Sequence, residues 1–325
     1  MRFKTGLSLC TTLWPLAATA ATPGALENYP VRPVRLIVPQ SPGGGSDLYA
    51  RMVAQPLAER IGQPVVIDNR AGAGSLIGTE LVAKAIPDGY TLLGISSSFT
   101  ILPGIYKQIP FDPVKDFAGV ALTSSYPHVV VVYPSVAANS IKELIALAKA
   151  KPGALNYGSA GVGTPTQLSP ELFKYMAGVN MLHVPYSGGG PALNALVGGQ
   201  VQVYFGPIAT VLPQVKGGKL RALAVTSARR STILPELPTV AEAGVAGFEQ
   251  DAWNGLLAPA RTPAAVLRKL NSEVNAVLKT SAIRERYAVE GVEARTMSPD
   301  ELDAMLRKEI SKWAQVIKHA GIKPE

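Results

Sequence analysis

Short apolar segments alternate with glycine-bearing loops and helical stretches along the chain, and this alternation is the strongest constraint on its fold. Val34–Val38 is an apolar, β-branched segment and predicts a buried strand. Residues 39–47 follow as a proline- and glycine-rich loop, and apolar residues then recur at helical spacing from Leu48 to Ile61. Repeated strand–helix–strand order predicts an α/β fold, a parallel sheet with helices on its faces.

Two such sets follow one another. The first has predicted strands at Val34–Val38, Val65–Asp68 and Tyr90–Ile95 and helices at Leu48–Ile61 and Ile77–Ala85. The second has predicted strands at Val129–Val132, Leu155–Ser159, Leu182–Pro185, Val201–Phe205 and Leu220–Thr226, and helices at Ser140–Ala150, Gln167–Met176 and Pro191–Val197. Ser140 and Glu143 predict a capping box. A further strand, Ala252–Ala258, and two helices, Pro263–Thr280 and Pro299–Ala320, end the chain.

The N-terminus has the three marks of a secretory signal peptide. Arg2 and Lys4 are basic, Gly6–Ala18 is apolar, and small residues follow at the end of this segment. We predict a signal peptide over residues 1–20, cleaved after Ala20 or Ala21, and therefore an exported, periplasmic protein. A membrane anchor is disfavoured because the apolar segment is shorter than the roughly 18–20 residues that span a bilayer.

Composition excludes several classes of function. The chain has 3 histidines and 1 cysteine, Cys10, so a Cys/His zinc site and a disulfide framework are ruled out. Loss of Arg2 and Lys4 lowers the formal net charge from +8 to about +6. The basic residues are scattered, which argues against nucleic acid as a partner, whereas a positive potential favours small anions. We expect no metal and no cofactor.

Two glycine loops are the strongest candidates for a binding site. Gly43–Gly45 open a helix, where backbone N–H groups and the helix dipole can bind an anion; a plain turn is the alternative. The nucleotide phosphate-loop pattern is absent. Residues 159–164 form a second loop of this kind before a helix of the second set. Two such loops, one in each set, could face each other across a cleft and hold a ligand.

Other motifs carry weaker signals. Gly72–Gly78 departs from the dinucleotide-binding spacing, so tight packing of a helix on a strand is the better interpretation. Asp47 lies in the first turn of a helix, where a structural cap and a ligand contact both remain open; as a cap it would tolerate Asn. His183, at a strand end, is interpreted as a packing residue rather than a catalytic one. No nucleophile–base–orienter set is evident.

Long blocks of the chain resemble the Bug-type proteins, the extracytoplasmic solute-binding components of tripartite tricarboxylate transporters. The resemblance is carried in collinear order by the segments VRLIVPQSPGGGSDLYAR, IGQPVVIDNRAGAGSLIGTELVAKAIPDGYTLL, LNYGSAGVGTPTQL, HVPYSGGGPALNALVGGQV, GKLRALAVTS, LPTVAEAG and WNGLLAPARTP. It covers nearly all of the chain after the predicted signal peptide.

The resemblance implies a periplasmic-binding-protein-like fold with two α/β domains, a ligand cleft between them and two crossover strands. Residues 21–126 and 251–325 would form domain 1, and residues 127–250 would form domain 2. A ligand carboxylate would be held by backbone N–H groups and bridging waters. The implied ligand-binding residues are Gln40, Pro42, Gly43, Gly44, Gly45, Ser46, Asp47, Ser96, Ser97, Ser98, Ser159, Gly161, Gly163, Thr164, Gln167, Tyr186 and Gly188.

The sequence departs from the family pattern at four positions around the loops. Gln40 and Asn254 stand where aromatic residues are common, Gln167 where His is common, and Ser187 where Lys is common. The glycines themselves are present. The resemblance therefore implies that carboxylate binding is kept, and the two Gln residues indicate a ligand with a second polar end.

The expected function is that of a solute receptor, not an enzyme. It would bind a small mono- or dicarboxylate, aromatic acids included, and deliver it as a monomer to a permease of the tripartite tricarboxylate type. Two alternatives stay open: a secreted hydrolase acting on a small anionic ester, and an orphan sensor or scavenger without a permease.

Overall fold

Nine strands form one continuous sheet within residues 28–43 and 45–322, the part of the chain that the computed structural model describes. The predicted signal peptide lies outside these residues. The strands are β1 Val34–Val38, β2 Val65–Asn69, β3 Thr91–Ser96, β4 Phe117–Val132, β5 Asn156–Ser159, β6 Leu182–Pro185, β7 Val203–Pro207, β8 Arg221–Val225 and β9 Asp251–Pro259. Their order is β2-β1-β3-β9-β4-β7-β5-β6, and β8 also pairs with β4.

Helices connect most of the strands. They are α1 Gly45–Ile61, α2 Leu76–Ala83, α3 Leu102–Ile105, α4 Ile141–Ala150, α5 Pro165–Ala177, α6 Gly189–Val197, α7 Ile208–Lys216, α8 Ala264–Leu278, α9 Ser281–Glu290 and α10 Pro299–Ala320. Two 3₁₀ turns, Ala73–Ser75 and Ser97–Ile101, precede α2 and α3. None of the helices in the described part is long and apolar enough to cross a membrane.

The long strand β4 joins the two halves of the sheet. Its first part, Phe117–Pro127, pairs antiparallel with β9, and its last part, His128–Val132, pairs with β7 and β8. We predicted only the last part as a strand. The first part contains Gly119, Pro127 and several small polar residues, which lack the β-branched signal of a strand. Gly119 is used for close packing, since a Cβ there would lie 2.8 Å from the Pro299 carbonyl oxygen at the start of α10.

Both faces of the sheet are covered by helices. Neighbouring residues of β1 show this, because Leu36 packs into the cluster formed with α1 and α8, whereas Ile37 packs into the cluster formed with α2 and α10. α10 contacts both halves: Leu302 joins the first-half core, and Trp313 joins the core of the second half. The fold is therefore α/β as predicted, but the sheet is mixed and not wholly parallel, because β9 runs antiparallel to β3 and β4, and β4 runs antiparallel to β7 and β8.

The structure also differs from the prediction at α7, at α9 and at the start of α4. Helices α7 and α9 were not predicted; α7 contains Pro213, and α9 buries only Ile283 and Tyr287, so its helical periodicity is weak. Three helices, not two, therefore follow β9. The capping box at α4 is incomplete: Ser140 accepts from the Glu143 N–H, but the Glu143 carboxylate accepts from the N–H of Asn139 instead.

Candidate functional site

The predicted site residues of the first half lie at one edge of the sheet. β1 and β3 are adjacent parallel strands, so the segments that follow them meet at their carboxyl ends. The side chains of Gln40, Ser96 and Ser98 line one small pocket together with Thr79 of α2. Tertiary structure thus brings together residues from two loops more than 50 positions apart in sequence.

Asp47 fixes the shape of the first glycine loop. The residue is buried at 2% exposure, and Oδ2 accepts hydrogen bonds from the Gly43 N–H at 2.9 Å and from Arg51 Nε at 2.9 Å. Oδ1 accepts from Asn69 Nδ2 at 2.9 Å, and Asn69 Nδ2 also donates to the Gln40 carbonyl oxygen at 3.0 Å. Both carboxylate oxygens are therefore engaged within the loop.

These contacts control the charge of Asp47. Burial by itself raises the pKa of the Asp47 carboxyl, but the hydrogen bonds from Arg51, Gly43 and Asn69 outweigh burial and lower this pKa to about 2. Pro42 and Gly43 are exposed beside this network, and Gly45 and Ser46 form the first residues of α1. Gly44 lies outside the described residues.

Ser97 provides an unsatisfied hydroxyl at this edge. Its side chain is fully buried in the 3₁₀ turn that follows β3, and within residues 28–43 and 45–322 its Oγ has no hydrogen-bond partner. A buried hydroxyl without a partner costs about 1–3 kcal/mol. A ligand atom or a water that bonds this hydroxyl would therefore be stabilised here.

The predicted site residues of the second half also lie at the carboxyl ends of parallel strands. β5 pairs in parallel with β6 and with β7. The Tyr186 N–H donates to the Ser159 carbonyl oxygen at 3.0 Å, and a Cβ on Gly161 would lie 3.3 Å from the Tyr186 carbonyl oxygen. Gly188 is the N-cap of α6, directly after this contact. The loops after β5 and β6 are therefore in direct contact.

A chain of side-chain hydrogen bonds lies behind the second glycine loop. The Gly163 N–H donates to Gln167 Oε1 at 2.7 Å, and Gln167 Nε2 lies 3.3 Å from His183 Nδ1. His183 Nε2 lies 2.6 Å from Ser159 Oγ. Thr164 Oγ1 donates to the Gly161 carbonyl oxygen at 2.7 Å. These bonds connect β5, β6 and the start of α5 through one loop.

His183 is the residue that the sequence analysis missed in this network. We interpreted it as a packing residue, and its ring does stack on Tyr157 with the ring centroids 4.9 Å apart. Both of its ring nitrogens, however, also contact predicted site residues. The linear sequence holds little signal for this, because His183 is 24 residues from Ser159 and faces it only through the β5–β6 register.

Gly163 also marks where the two halves of the site touch. Its φ is +77°, a conformation that favours glycine. A Cβ there would lie 3.3 Å from Ile101 Cδ1 and 3.4 Å from Ile105 Cδ1, both in the first half. The second glycine loop is therefore packed against the segment that follows β3.

The interpretation of Gly72–Gly78 as a packing motif is confirmed. A Cβ on Gly78 of α2 would lie 2.8 Å from Pro39 Cβ and 2.8 Å from the Arg70 carbonyl oxygen. No side chain larger than hydrogen fits there without displacing backbone. The motif thus brings α2 close to the end of β1, next to Gln40.

Two α/β halves, two crossover strands and loops at the facing strand ends define the fold of a periplasmic binding protein. A family model described as "Tripartite tricarboxylate transporter family receptor" matches residues 49–322. The chain belongs to this family, whose members are periplasmic solute receptors.

Individual relatives are similar over nearly their whole length. BugT of Bordetella pertussis is 38% identical over 308 residues, which are 94% of each chain. Among solved structures, R. palustris Rpa4515 with adipate is 36% identical with a TM-score of 0.78, over 91% of this chain and 100% of that one. MatC of Rhodopseudomonas palustris with bound malate is 33% identical with a TM-score of 0.74, over 89% and 100%.

Proposed function

We propose that this chain is a non-enzymatic, exported receptor that binds a small mono- or dicarboxylate between its two halves and delivers it to a tripartite tricarboxylate-type permease. One observation carries the proposal: each half places a glycine loop and a helix start at the carboxyl ends of its parallel strands. Loops at this edge of an α/β sheet are the usual place for ligands. The relatives with adipate and malate support a carboxylate as the ligand class.

Backbone N–H groups are the proposed carboxylate ligands. The candidate donors lie at the end of the first loop, at Gly45 and Ser46 where α1 begins, and in the second loop, residues 160–164. Helix starts at Gly45 and Pro165 add positive potential on both sides. Within the loops, most N–H groups already have internal partners: those of Gly43, Ala160, Gly161 and Gly163 donate to the side chains of Asp47, Thr166, Ser159 and Gln167. The Thr164 N–H donates to the Gly161 carbonyl oxygen at 3.4 Å. These internal bonds hold the loops open for the remaining donors and for waters.

The side chains at the pocket edge are proposed to recognise the rest of the ligand. Gln40, Ser96 and Ser98 line one pocket, and Ser97 adds a buried hydroxyl without a partner among the described residues. Amides and hydroxyls donate and accept hydrogen bonds. This set offers hydrogen-bond donors and acceptors to a ligand whose second end is polar, such as a second carboxylate or a hydroxyl.

A hydrolase is the second candidate, because Ser159 and His183 lie within hydrogen-bond distance. Two features argue against it. Ser159 is fully buried, and its hydroxyl lies 3.2 Å from the Gly161 carbonyl oxygen, which it can only approach as a donor. Gln167 Nε2 faces His183 Nδ1 and makes this nitrogen the acceptor, so the proton lies on Nε2. A general base for Ser159 needs the opposite tautomer.

A thermal-shift screen against mono- and dicarboxylates tests the receptor function. A ligand that binds only the folded state adds about 2.7 kcal/mol of stability at 100 times its dissociation constant. We expect at least one small carboxylate to raise the unfolding temperature and to be recovered unchanged. Calorimetry on the hits then gives affinity. The proposal is wrong if no carboxylate stabilises the protein, or if the hit is converted to another compound.

Delivery to a permease needs a cellular test, since an orphan sensor would bind the same ligand. Uptake of labelled carboxylate is measured in cells that produce a candidate permease with and without this receptor. We expect uptake only when both are present.

The proposed domain limits, 21–126 with 251–325 and 127–250, are supported by the register pair Pro127–Asp251, where both crossover strands pass between the halves.

A further inference from the structure

Gln167 and His183 form a relay whose hydrogen-bond directions are fixed by its two ends. At one end the Gly163 N–H can only donate, so the atom of Gln167 that meets it at 2.7 Å must be the amide oxygen. The amide nitrogen then faces His183 Nδ1 at 3.3 Å as a donor. His183 must therefore keep Nδ1 unprotonated.

At the other end, the proton of His183 lies on Nε2. This N–H points to Ser159 Oγ at 2.6 Å, and the Ser159 hydroxyl accepts it while facing the Gly161 carbonyl oxygen at 3.2 Å. The Gly161 N–H also donates to Ser159 Oγ, at 3.1 Å. Two chains of hydrogen bonds therefore run from the His183 imidazole to the second glycine loop, one through Ser159 to Gly161 and one through Gln167 to Gly163.

We propose that His183 is a positioning residue for carboxylate binding: as a neutral Nε2–H imidazole it holds the Gln167 amide with its oxygen on the Gly163 N–H, and so keeps the second glycine loop in its binding geometry. The inference rests on the proposed function and deepens it. Affinity becomes dependent on the charge and tautomer of a side chain that acts through Gln167 and the second glycine loop.

A second proton on His183 would break this arrangement. Protonated Nδ1 would present an N–H to the amide NH₂ of Gln167, and two donors cannot bond each other. Turning the amide over would satisfy His183 but would place the NH₂ group on the Gly163 N–H. Either outcome removes a hydrogen bond from the loop.

The surroundings of His183 favour its neutral form. The charged groups that face it are Glu171 and Lys174 of α5, and the ring of Tyr157 on β5 stacks on it. Burial lowers the pKa of His183; Glu171 opposes this effect and Lys174 adds to it. Because the pKa of His183 is lowered from its ordinary value of 6.5, affinity should be constant above pH 6.5 and should fall only at more acidic pH, as the imidazole gains its second proton.

Substitutions separate the acceptor role from mere packing. Asn at position 183 keeps an acceptor oxygen close to the place of Nδ1, whereas Leu removes it. We expect His183→Leu to weaken binding of adipate or malate by about tenfold or more, the effect of one lost buried hydrogen bond. His183→Asn should stay within about threefold of wild type and should lack the part of the acid fall in affinity that the imidazole causes; protonation of the ligand carboxylates lowers affinity in both proteins alike. His319→Asn, at an exposed position on α10, is the matched control.

Nitrogen NMR of the imidazoles tests the relay without any ligand. The chain has 3 histidines, so His183 is assigned by its absence from the His183→Asn spectrum. We expect the Nε2–H tautomer in wild type. In Gln167→Glu the carboxylate accepts from Nδ1, so we expect a proton there and a raised pKa.

The outcomes separate this inference from the proposed function. A wild-type protein that binds no carboxylate overturns both. If wild type binds, the inference alone is overturned by an Nδ1–H tautomer, by full affinity in His183→Leu, or by equal losses in His183→Leu and His183→Asn. It is supported when His183→Asn keeps the affinity that His183→Leu loses, when the affinity of His183→Asn falls less than that of wild type at acidic pH, and when the wild-type tautomer is Nε2–H.

Discussion

Asp47 in the first turn of α1 accepts a hydrogen bond from Asn69, the last residue of β2, at 2.9 Å. This bond ties the first glycine loop to the neighbouring strand. Asn69 cannot easily turn over, since its Nδ2 also donates to the Gln40 carbonyl oxygen and its Oδ1 accepts from Arg51 at 3.1 Å. The direction of every bond in this network is therefore set.

We expect Asp47→Asn to be clearly destabilising, contrary to its interpretation as a tolerant helix cap. Both carboxylate oxygens accept hydrogen bonds, so an amide must place its NH₂ group against a donor, either Asn69 or Gly43. The expected loss is about 1–3 kcal/mol of unfolding free energy, measured by urea denaturation. Glu80→Gln, which removes the charge of an exposed pair with Lys84, is the control and should change little. An unchanged Asp47→Asn stability would contradict the network.

The acid dependence of stability should also change with Asp47. Its pKa is about 2 in the folded protein against 3.8 ordinarily, so its stabilising contribution is present above pH 3.8 and is lost as the pH falls toward 2. Asp47→Ala should lack this part of the acid transition. Unfolding free energies of both proteins at pH 6 and pH 3 give the comparison. Parallel curves would mean that Asp47 has an ordinary pKa.

We expect Gly163→Ala to reduce ligand affinity much more than it reduces stability. The Cβ meets Ile101 and Ile105 at 3.3 and 3.4 Å, and φ is +77°, so the loop must shift. Gly178→Ala is the matched control, because Gly178 ends α5 with φ +61° and has open space around its Cβ position. Both should lose about 1 kcal/mol of stability. Calorimetry with a carboxylate that stabilises the wild-type protein should show a loss of tenfold or more for Gly163→Ala alone.

Asp251→Asn should stabilise the protein at alkaline pH. Asp251 lies on β9 where the crossover strands meet, and its Oδ1 is buried without a partner among the described residues. Burial raises the pKa of its carboxyl to about 6, with Arg295 opposing and Glu249 and Glu293 adding to the rise.

Because this pKa is raised, the contribution of Asp251 to the unfolding free energy is most favourable below pH 3.8, where the carboxyl is protonated. It is lost as the pH rises through 6. The difference in unfolding free energy between wild type and Asp251→Asn should therefore change by about 2 kcal/mol between pH 4 and pH 8. Glu59→Gln, at an exposed position on α1, is the control. A free-energy difference that does not change with pH would show that the pKa of the Asp251 carboxyl is not raised.

Export should leave a mature protein that begins at Ala21 or Thr22. The basic start, the apolar segment and the small residues at its end carry this expectation. Intact mass spectrometry of periplasmic material measures the cleavage position directly. A mass that still includes Cys10 would refute the predicted cleavage.

The sequence by itself determined the parallel strands and the loops that follow them. Val34–Val38 and Leu182–Pro185 form strands at the predicted residues, because local β-propensity and apolar runs favour these segments wherever they pack. The family also followed from collinear blocks. Glycine loops are visible in sequence because backbone geometry there depends on the residue itself.

Only the tertiary structure decided how the site residues meet. The first part of β4 became a strand because β9 pairs with it, although its own residues are small and polar. Ser159 meets His183, and Asp47 meets Asn69, through strand register and helix packing that bring residues 24 and 22 positions apart into hydrogen-bond distance. Such bonds depend on the three-dimensional placement of both partners, and no local propensity of either residue encodes that placement.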